Sequence, residues 1–223
     1  MNNTITVVGA GNMGRAIARR YAVGGADVLL VDMDADRAAD VAAQMTDDAL
    51  GRVTARPLGE ALDSDIVVFA TWFPQTLELL STHAGPLSDS VVVDISNPLN
   101  DTFDDLTTAW GSSAAEELAV KAPGVRLVKA FNTVFAPVLI DGAIDGVPLD
   151  VFVASDHEDA KRAVVASLEG TGLRAIDAGG LSAARTLERL TLLQIGIQNR
   201  LGLEFRTAVK VLPHVYTTEA ESA

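Results

Sequence analysis

The stretch "ITVVGAGNMG" (Ile5–Gly14) decides the fold. A β-branched apolar run ends in glycines at 9, 11 and 14, the order G-x-G-x-x-G, and helical spacing of Met13, Ile17, Ala18 and Tyr21 begins at once. Strand, glycine turn and helix in this order make a phosphate-binding turn. Gly9 permits the tight turn, Gly11 lets the backbone approach a pyrophosphate, and Gly14 lets the helix pack on the strand. The free amides at the helix N-terminus then hold an anion without a lysine. A triphosphate-hydrolysing loop would continue Gly-Lys-Ser/Thr, whereas Arg15 and Ala16 follow here.

Downstream, "VLLVDMDADR" (Val28–Arg37) reads as a second strand running into an acidic turn. Asp32 lies 18 residues past Gly14, where an acid accepts hydrogen bonds from the adenine ribose. A carboxylate there repels a 2′-phosphate, so this residue points to NAD(H) over NADP(H). Asp34 and Asp36 suit entry to the following helix.

Around these two strands, β-branched runs alternate with amphipathic stretches over the first 155 residues or so, the pattern of a doubly wound parallel sheet covered by helices. Strands are expected at Thr4–Val8, Asp27–Val31, Val53–Ala55, Asp65–Ala70, Ser90–Ile95 and Arg126–Phe131. Several are apolar throughout, as strands buried on both faces are. Helices are expected from Asp36 to Met45 (ending in the polar stretch "TDDALGR"), across "LGEALDSD" and "QTLELLSTHA", and from about Ser113 to Val120. After "VFAPVL", strands in "LDVFVASD" and "GLRAIDAGG" flank the helix "HEDAKRAVVASLEGTG". A helical tail from Leu181 carries Leu187, Leu190, Leu193, Ile197 and Leu201 on one stripe. The expected division is a Rossmann domain over residues 1–149 and a small C-terminal α/β domain ending in helices over residues 150–223.

Composition narrows the chemistry. The chain has no cysteine, which excludes disulfides, thiolate nucleophiles and cysteine metal sites. His83, His157 and His214 lack ligand spacing and are expected at the surface, with no metal bound. A net charge of −13 without a basic stripe argues against nucleic acid. No apolar run reaches the roughly 18 residues of a membrane span, so a cytoplasmic protein without a membrane partner is expected.

Ligands of open α/β sheets bind beyond the carboxyl ends of the strands. The remaining exits are "ATWFP" (Ala70–Pro74), "DISNP" (Asp94–Pro98) and "KAFNTVFAP" (Lys129–Pro137), mixtures of small, aromatic and amide residues that could line a flat pocket for a nicotinamide and a partner ring. Trp72 and Phe73 read equally as half-buried surface aromatics, and Asn97 and Asn132 as turn amides. Lys129 reads as snorkelling or paired with a carboxylate rather than catalytic. No Ser/His/Asp set or carboxylate pair accompanies the exits, which suits hydride transfer, where the cofactor carries the chemistry.

On "GAGNMG", "VVVDISNPLN", "LVKAFNT", "DVFVASDHEDAKRAV" and "GLRAIDAGGLSAARTLE", in that order, the chain resembles the F420-dependent NADP oxidoreductases, including the related nucleotide domain of membrane ferric reductases. The resemblance implies a Rossmann domain for the nicotinamide cofactor and a small C-terminal domain that closes a cleft for the deazaflavin. Hydride would pass directly between the two rings, with no metal and no certain catalytic side chain. It places the pyrophosphate on Gly9, Gly11, Asn12, Met13 and Gly14; the candidate cofactor residues further include Ala10, Asp32, Met33, Arg37, Ala70, Thr71, Trp72, Phe73, Asn97, Pro98 and Ala130. The deazaflavin coenzyme F420, or a flavin, would meet Asn132, Thr133, Val134, Phe135 and Leu181. A homodimer is implied, through the tail stripe if that does not pack inward. The sequence departs from the family at Asp32 and Met33, where Ser/Thr-Arg is usual. The competing expectations are an NAD(P)-dependent dehydrogenase or imine reductase using Lys129 or Tyr21 as proton donor, and a dinucleotide sensor without turnover.

Overall fold

The computed structural model describes residues 4–45 and 49–212. His214 and the Thr46–Asp48 part of the polar stretch lie outside them. The chain runs β1 (Thr4–Val8), α1 (Asn12–Val23), β2 (Asp27–Val31), α2 (Ala35–Ala43), β3 (Val53–Ala55), β4 (Ile66–Phe69), α3 (Phe73–His83), β5 (Val91–Asp94), α4 (Ala114–Lys121) and β6 (Arg126–Lys129). It continues with α5 (Ala136–Leu139), the hairpin β7 (Ala143–Ile144) and β8 (Val147–Pro148), β9 (Asp150–Ala154), α6 (Glu158–Ser167), β10 (Arg174–Gly179) and α7 (Ala184–Leu201).

Eight strands form one sheet in the order β10-β9-β6-β5-β4-β1-β2-β3. β1 pairs in parallel with both β2 and β4, so the winding reverses at β1 and a crevice opens between the turns that leave β1 and β4. β9 and β10 pair in parallel and extend the same sheet, β9 meeting β6 in the opposite direction through Lys129 and Ala154 alone. This is a doubly wound Rossmann architecture with a helical C-terminal end.

The continuous apolar strands are explained by two cores. Ile66, Val68, Val91 and Val93 face α1 and α6, with Ile17, Tyr21 and Val164. Val67, Phe69 and Val92 face α3 and α4, with Leu80 and Leu118. Neighbouring residues thus enter opposite layers, which requires apolar side chains at every position. Asp34 caps α2 by accepting from the Arg37 amide, and Ser113 caps α4 by accepting from the Glu116 amide.

One expectation is corrected. "LGEALDSD" makes only a single turn at Leu58–Glu60. The Ala61 carbonyl, which a continuing helix would use, accepts instead from Thr6 Oγ1, and Ser64 Oγ bonds the same hydroxyl. In the tail, only Leu187 of the apolar stripe is buried, while Leu193, Ile197 and Leu201 are exposed. α7 turns Glu188, Thr191, Gln194 and Gln198 inward. The surface it meets carries an ammonium and peptide carbonyls, which demand polar partners.

After α7 the chain returns to the far sheet edge. Asp150 accepts from Arg174 at 2.7 and 2.6 Å, from Lys210 and from the Val211 amide at 2.8 Å. Burial acts to raise the Asp150 pKa, but these donors outweigh it and hold it at about 2. A depressed carboxyl stabilises above its unfolded value, so this contribution, about 1–2 kcal/mol after allowance for the half-exposed Arg174, is lost as the pH falls from about 4 through about 2. Thermal unfolding against pH should show this acid limb, and Asp150→Asn should flatten it. Among the described residues no helix is long and apolar enough to cross a membrane.

Candidate active site

The glycine turn is packed where the protein needs it and open where a ligand would. A Cβ at Gly9 (φ +107°) would lie 2.6 Å from the Ala70 carbonyl oxygen, and one at Gly14 only 1.7 Å from that of Gly9. A Cβ at Gly11 would meet no other part of the protein within 4 Å. The absent side chain there is not demanded by packing, and Gly11 stands at the N-cap of α1.

Gly11, Asn12 and Met13 open onto a cleft of about 660 Å³ at the carboxyl ends of the strands, together with Ala70, Thr71, Trp72, Asn97, Asn132, Val134 and Phe135. Gly9, Ala10 and Gly14 stand behind them. Asp32 is tied to the turn: its Oδ2 accepts from the Ala10 amide at 2.7 Å, and its Oδ1 from the Asp34 amide at 3.0 Å and from Arg37. Burial pushes its pKa up, but the Arg37 contact and the two amides prevail and hold it below the usual carboxylate range. Met33 is 98% exposed beside it.

Other expected site residues fall elsewhere. Phe73 packs into the layer beneath α3, and Leu181 is buried in that same core rather than closing the cleft. Ala130 is fully buried, its amide donating to the Asp94 carbonyl. Thr133 is buried and reaches α7 through its carbonyl, which accepts from Gln194. Pro98 stands just outside the lining and accepts from the Thr107 amide, fixing the loop that follows. Across the cleft floor, Asn97 Nδ2 donates to the Asn132 carbonyl and Asn132 Nδ2 to Asn97 Oδ1, both at 3.0 Å. Thr191 Oγ1 donates to the same carbonyl at 2.9 Å. Asn132 Oδ1 and Ser96 Oγ have no protein partner.

Lys129 does not snorkel. It is wholly buried, donating to Asp94 at 2.7 Å, to Glu188 at 2.9 Å and to the Ser96 carbonyl. Glu188 also accepts from the Ala114 and Ala115 amides at the start of α4. Burial would lower the Lys129 pKa, but the carboxylates prevail and raise it, so the ammonium stays charged. Burial raises Glu188 above the usual range despite Lys129. Tyr21 is buried edge-on to Phe131, its pKa pushed up to about 12 by desolvation. Neither named proton donor therefore reaches the cleft.

The cleft also takes Ile95, Ser96, Ala136 and Pro137 from the strand exits read in the sequence, and Leu99, Thr102, Phe103, Thr191, Ile195, Asn199 and Phe205 from outside them. One signal was available: Glu188, Thr191, Ile195 and Gln198 recur at helical spacing opposite the leucines. Among the described residues that line the cleft, not one side chain ionises. The described lining can orient flat ligands through apolar, amide and hydroxyl groups.

The family model for coenzyme F420-dependent NADP oxidoreductases matches residues 4–98. The F420-dependent NADP reductase of Methanothermobacter thermautotrophicus is 30% identical over 206 residues, 86% of this chain and 88% of the relative. The chain belongs to the F420-dependent NADP oxidoreductase family. It is therefore an NAD(P)-dependent oxidoreductase. Rat metalloreductase STEAP3 is 29% identical over 84% of this oxidoreductase, which matches 36% of that longer protein. A solved structure from Arthrobacter sp. FB24, assigned as an F420-dependent NADP-reductase, superposes with a TM-score of 0.77 at 26% identity, covering 94% of this oxidoreductase and 99% of that chain. An imine reductase of Streptomyces aurantiacus, at 19% identity and a TM-score of 0.63, shares the fold.

Proposed function

We propose that this oxidoreductase transfers a hydride directly between a nicotinamide dinucleotide and a deazaflavin or flavin held in the same cleft. The single observation that carries this reading is a cleft of about 660 Å³ whose described lining has no ionisable side chain. The reacting rings would supply the chemistry themselves. The protein's part is to bind, orient and exclude water. Gly11 with the amides of Asn12 and Met13 would hold the pyrophosphate, and Asp32 the adenine ribose. The crossed Asn97 and Asn132 amides would fix the floor beneath the rings.

In this reading residues 1–149 hold the dinucleotide, residues 150–223 close the cleft through α7, and the reaction runs in the cytoplasm. Asp32 favours NAD(H), although the relatives are named for NADP. Mixing NADH or NADPH with F420 or FMN tests the assignment: loss of nicotinamide absorbance is expected in at least one pairing, and no turnover in any of them defeats it.

We further propose that the exposed stripe of α7 pairs with a second copy of the chain. Leu193 is 60%, Ile197 39% and Leu201 63% exposed along one side of α7, apolar surface that a second copy would take out of water. Sedimentation should report a dimer, and Leu193→Glu with Ile197→Glu a monomer. Unchanged mass in the double variant would remove α7 from the interface.

A further inference from the structure

The turn that leaves β6 is held against the preference of its own backbone. Phe131 lies at φ 61°, in the left-handed region. Of the described non-glycine residues there, Phe103, Phe131, Asp145, Glu204 and Phe205, only Phe131 is buried, 1% exposed with its ring edge-on to Tyr21. That conformation is costly for a bulky aromatic, persists only where the surroundings over-determine it, and collects at functional sites.

Here the chain is fixed on both sides of the strained residue. Before it, the Ala130 amide donates to the Asp94 carbonyl, and Lys129 is held by Asp94 and Glu188. After it, one face of α7 takes over. Glu188, Thr191 and Gln194 recur every three residues and meet Lys129, the Asn132 carbonyl and the Thr133 carbonyl in the same order, at 2.9, 2.9 and 3.2 Å. An extended strand alternates its directions from residue to residue, whereas the Asn132 and Thr133 carbonyls both reach α7 and the Asn132 side chain lines the cleft. All three α7 residues are buried, so a slip of the helix by one position would leave polar groups without partners. The contact therefore sets a register.

We infer that Thr191 and Gln194 are positioning residues of this oxidoreductase: through the strained turn at Phe131 they hold the Asn132 amide, crossed with that of Asn97, in the orientation that the nicotinamide end of a dinucleotide requires. Directional hydrogen bonds fix a turn more narrowly than apolar packing does. Gln194 does not line the cleft, so any effect it has on a ligand must pass through the turn. The inference rests on the proposed binding of the dinucleotide in this cleft and adds the groups that act on it from behind the floor.

The probes are NADH and NADPH and their fragments without nicotinamide, ADP-ribose and 2′-phospho-ADP-ribose, titrated calorimetrically into the full chain. Thr191→Val exchanges the hydroxyl for a methyl of similar size, and Gln194→Met keeps the side-chain length without the donor. Each is expected to weaken the tighter-binding dinucleotide about fivefold, with the matching fragment within about twofold of wild type, and Thr191→Ser to restore the wild-type value. A role in folding alone lowers the urea midpoint and leaves the ratio of dinucleotide to fragment affinity unchanged, which overturns the inference. So does a wild type that binds the dinucleotide no tighter than the fragment, or not at all. Gln194→Met decides the case by itself if Thr191→Val does not fold. An unchanged ratio in a protein that reduces F420 or FMN removes the positioning and leaves the hydride transfer standing. A nicotinamide-selective loss in a protein that reduces no acceptor supports the positioning and removes the reaction.

Discussion

Lys129→Met is expected to lower folding stability by about 3–5 kcal/mol, read as a fall in the urea midpoint at unchanged slope. The substitution leaves Asp94 and Glu188 without the ammonium that both contact, at positions with no solvent exposure. Breaking a buried pair from one side costs far more than the pair contributed, because the remaining charge has no water to return to. Against a total stability of roughly 5–15 kcal/mol, this is enough to unfold a marginal domain. The sign against pH follows from Glu188. A carboxyl whose folded pKa lies above its unfolded one destabilises as it ionises, so the variant should lose further stability as pH rises above the ordinary carboxylate range and regain some on acidification. Adding Glu188→Gln and Asp94→Asn should recover part of the loss, since amides leave no unpaired charge. A single variant within about 1 kcal/mol of wild type would show that the three groups do not act as a unit.

Asp32→Ser with Met33→Arg is expected to move cofactor preference toward NADPH by about 2 kcal/mol, roughly thirtyfold in the ratio of kcat/KM values. In the wild type the Asp32 side chain is only 4% exposed and ionised, while Met33 projects into solvent. The exchange removes a charge that opposes a 2′-phosphate and places a guanidinium where space exists. It also releases Arg37, whose side chain is half-exposed, from its ion pair with Asp32. Loss of the Ala10 contact should weaken NADH binding at the same time, which separates this outcome from a gain for NADPH alone. A wild type that already prefers NADPH would show that Arg37 neutralises Asp32 well enough to admit the phosphate.

Much of the fold around the candidate site was legible because its determinants are local. Gly9, Gly11 and Gly14 answer to a turn a few residues long, and Asp32 to the end of the next strand. Thr4–Val8, Asp27–Val31 and Val53–Ala55 begin and end where the apolar runs do. Leu181 reads from sequence as a cleft residue, whereas packing against α4 takes it into the core. Glu188 was overlooked because a carboxylate inside a helix ordinarily faces water.

The amino-acid sequence by itself determined the alternation of strands and helices, the glycine turn between β1 and α1 and the acidic residue after β2, since each depends on periodicity or on backbone conformation within a short span. Only the tertiary structure decided which face of α7 turns inward, that Lys129 holds Asp94 and Glu188 together, and that Phe103 and Phe205 return to the strand exits. Those outcomes depend on which groups meet across 30 to 100 or so residues of chain, where buried charge must find its partner and no local pattern records the choice.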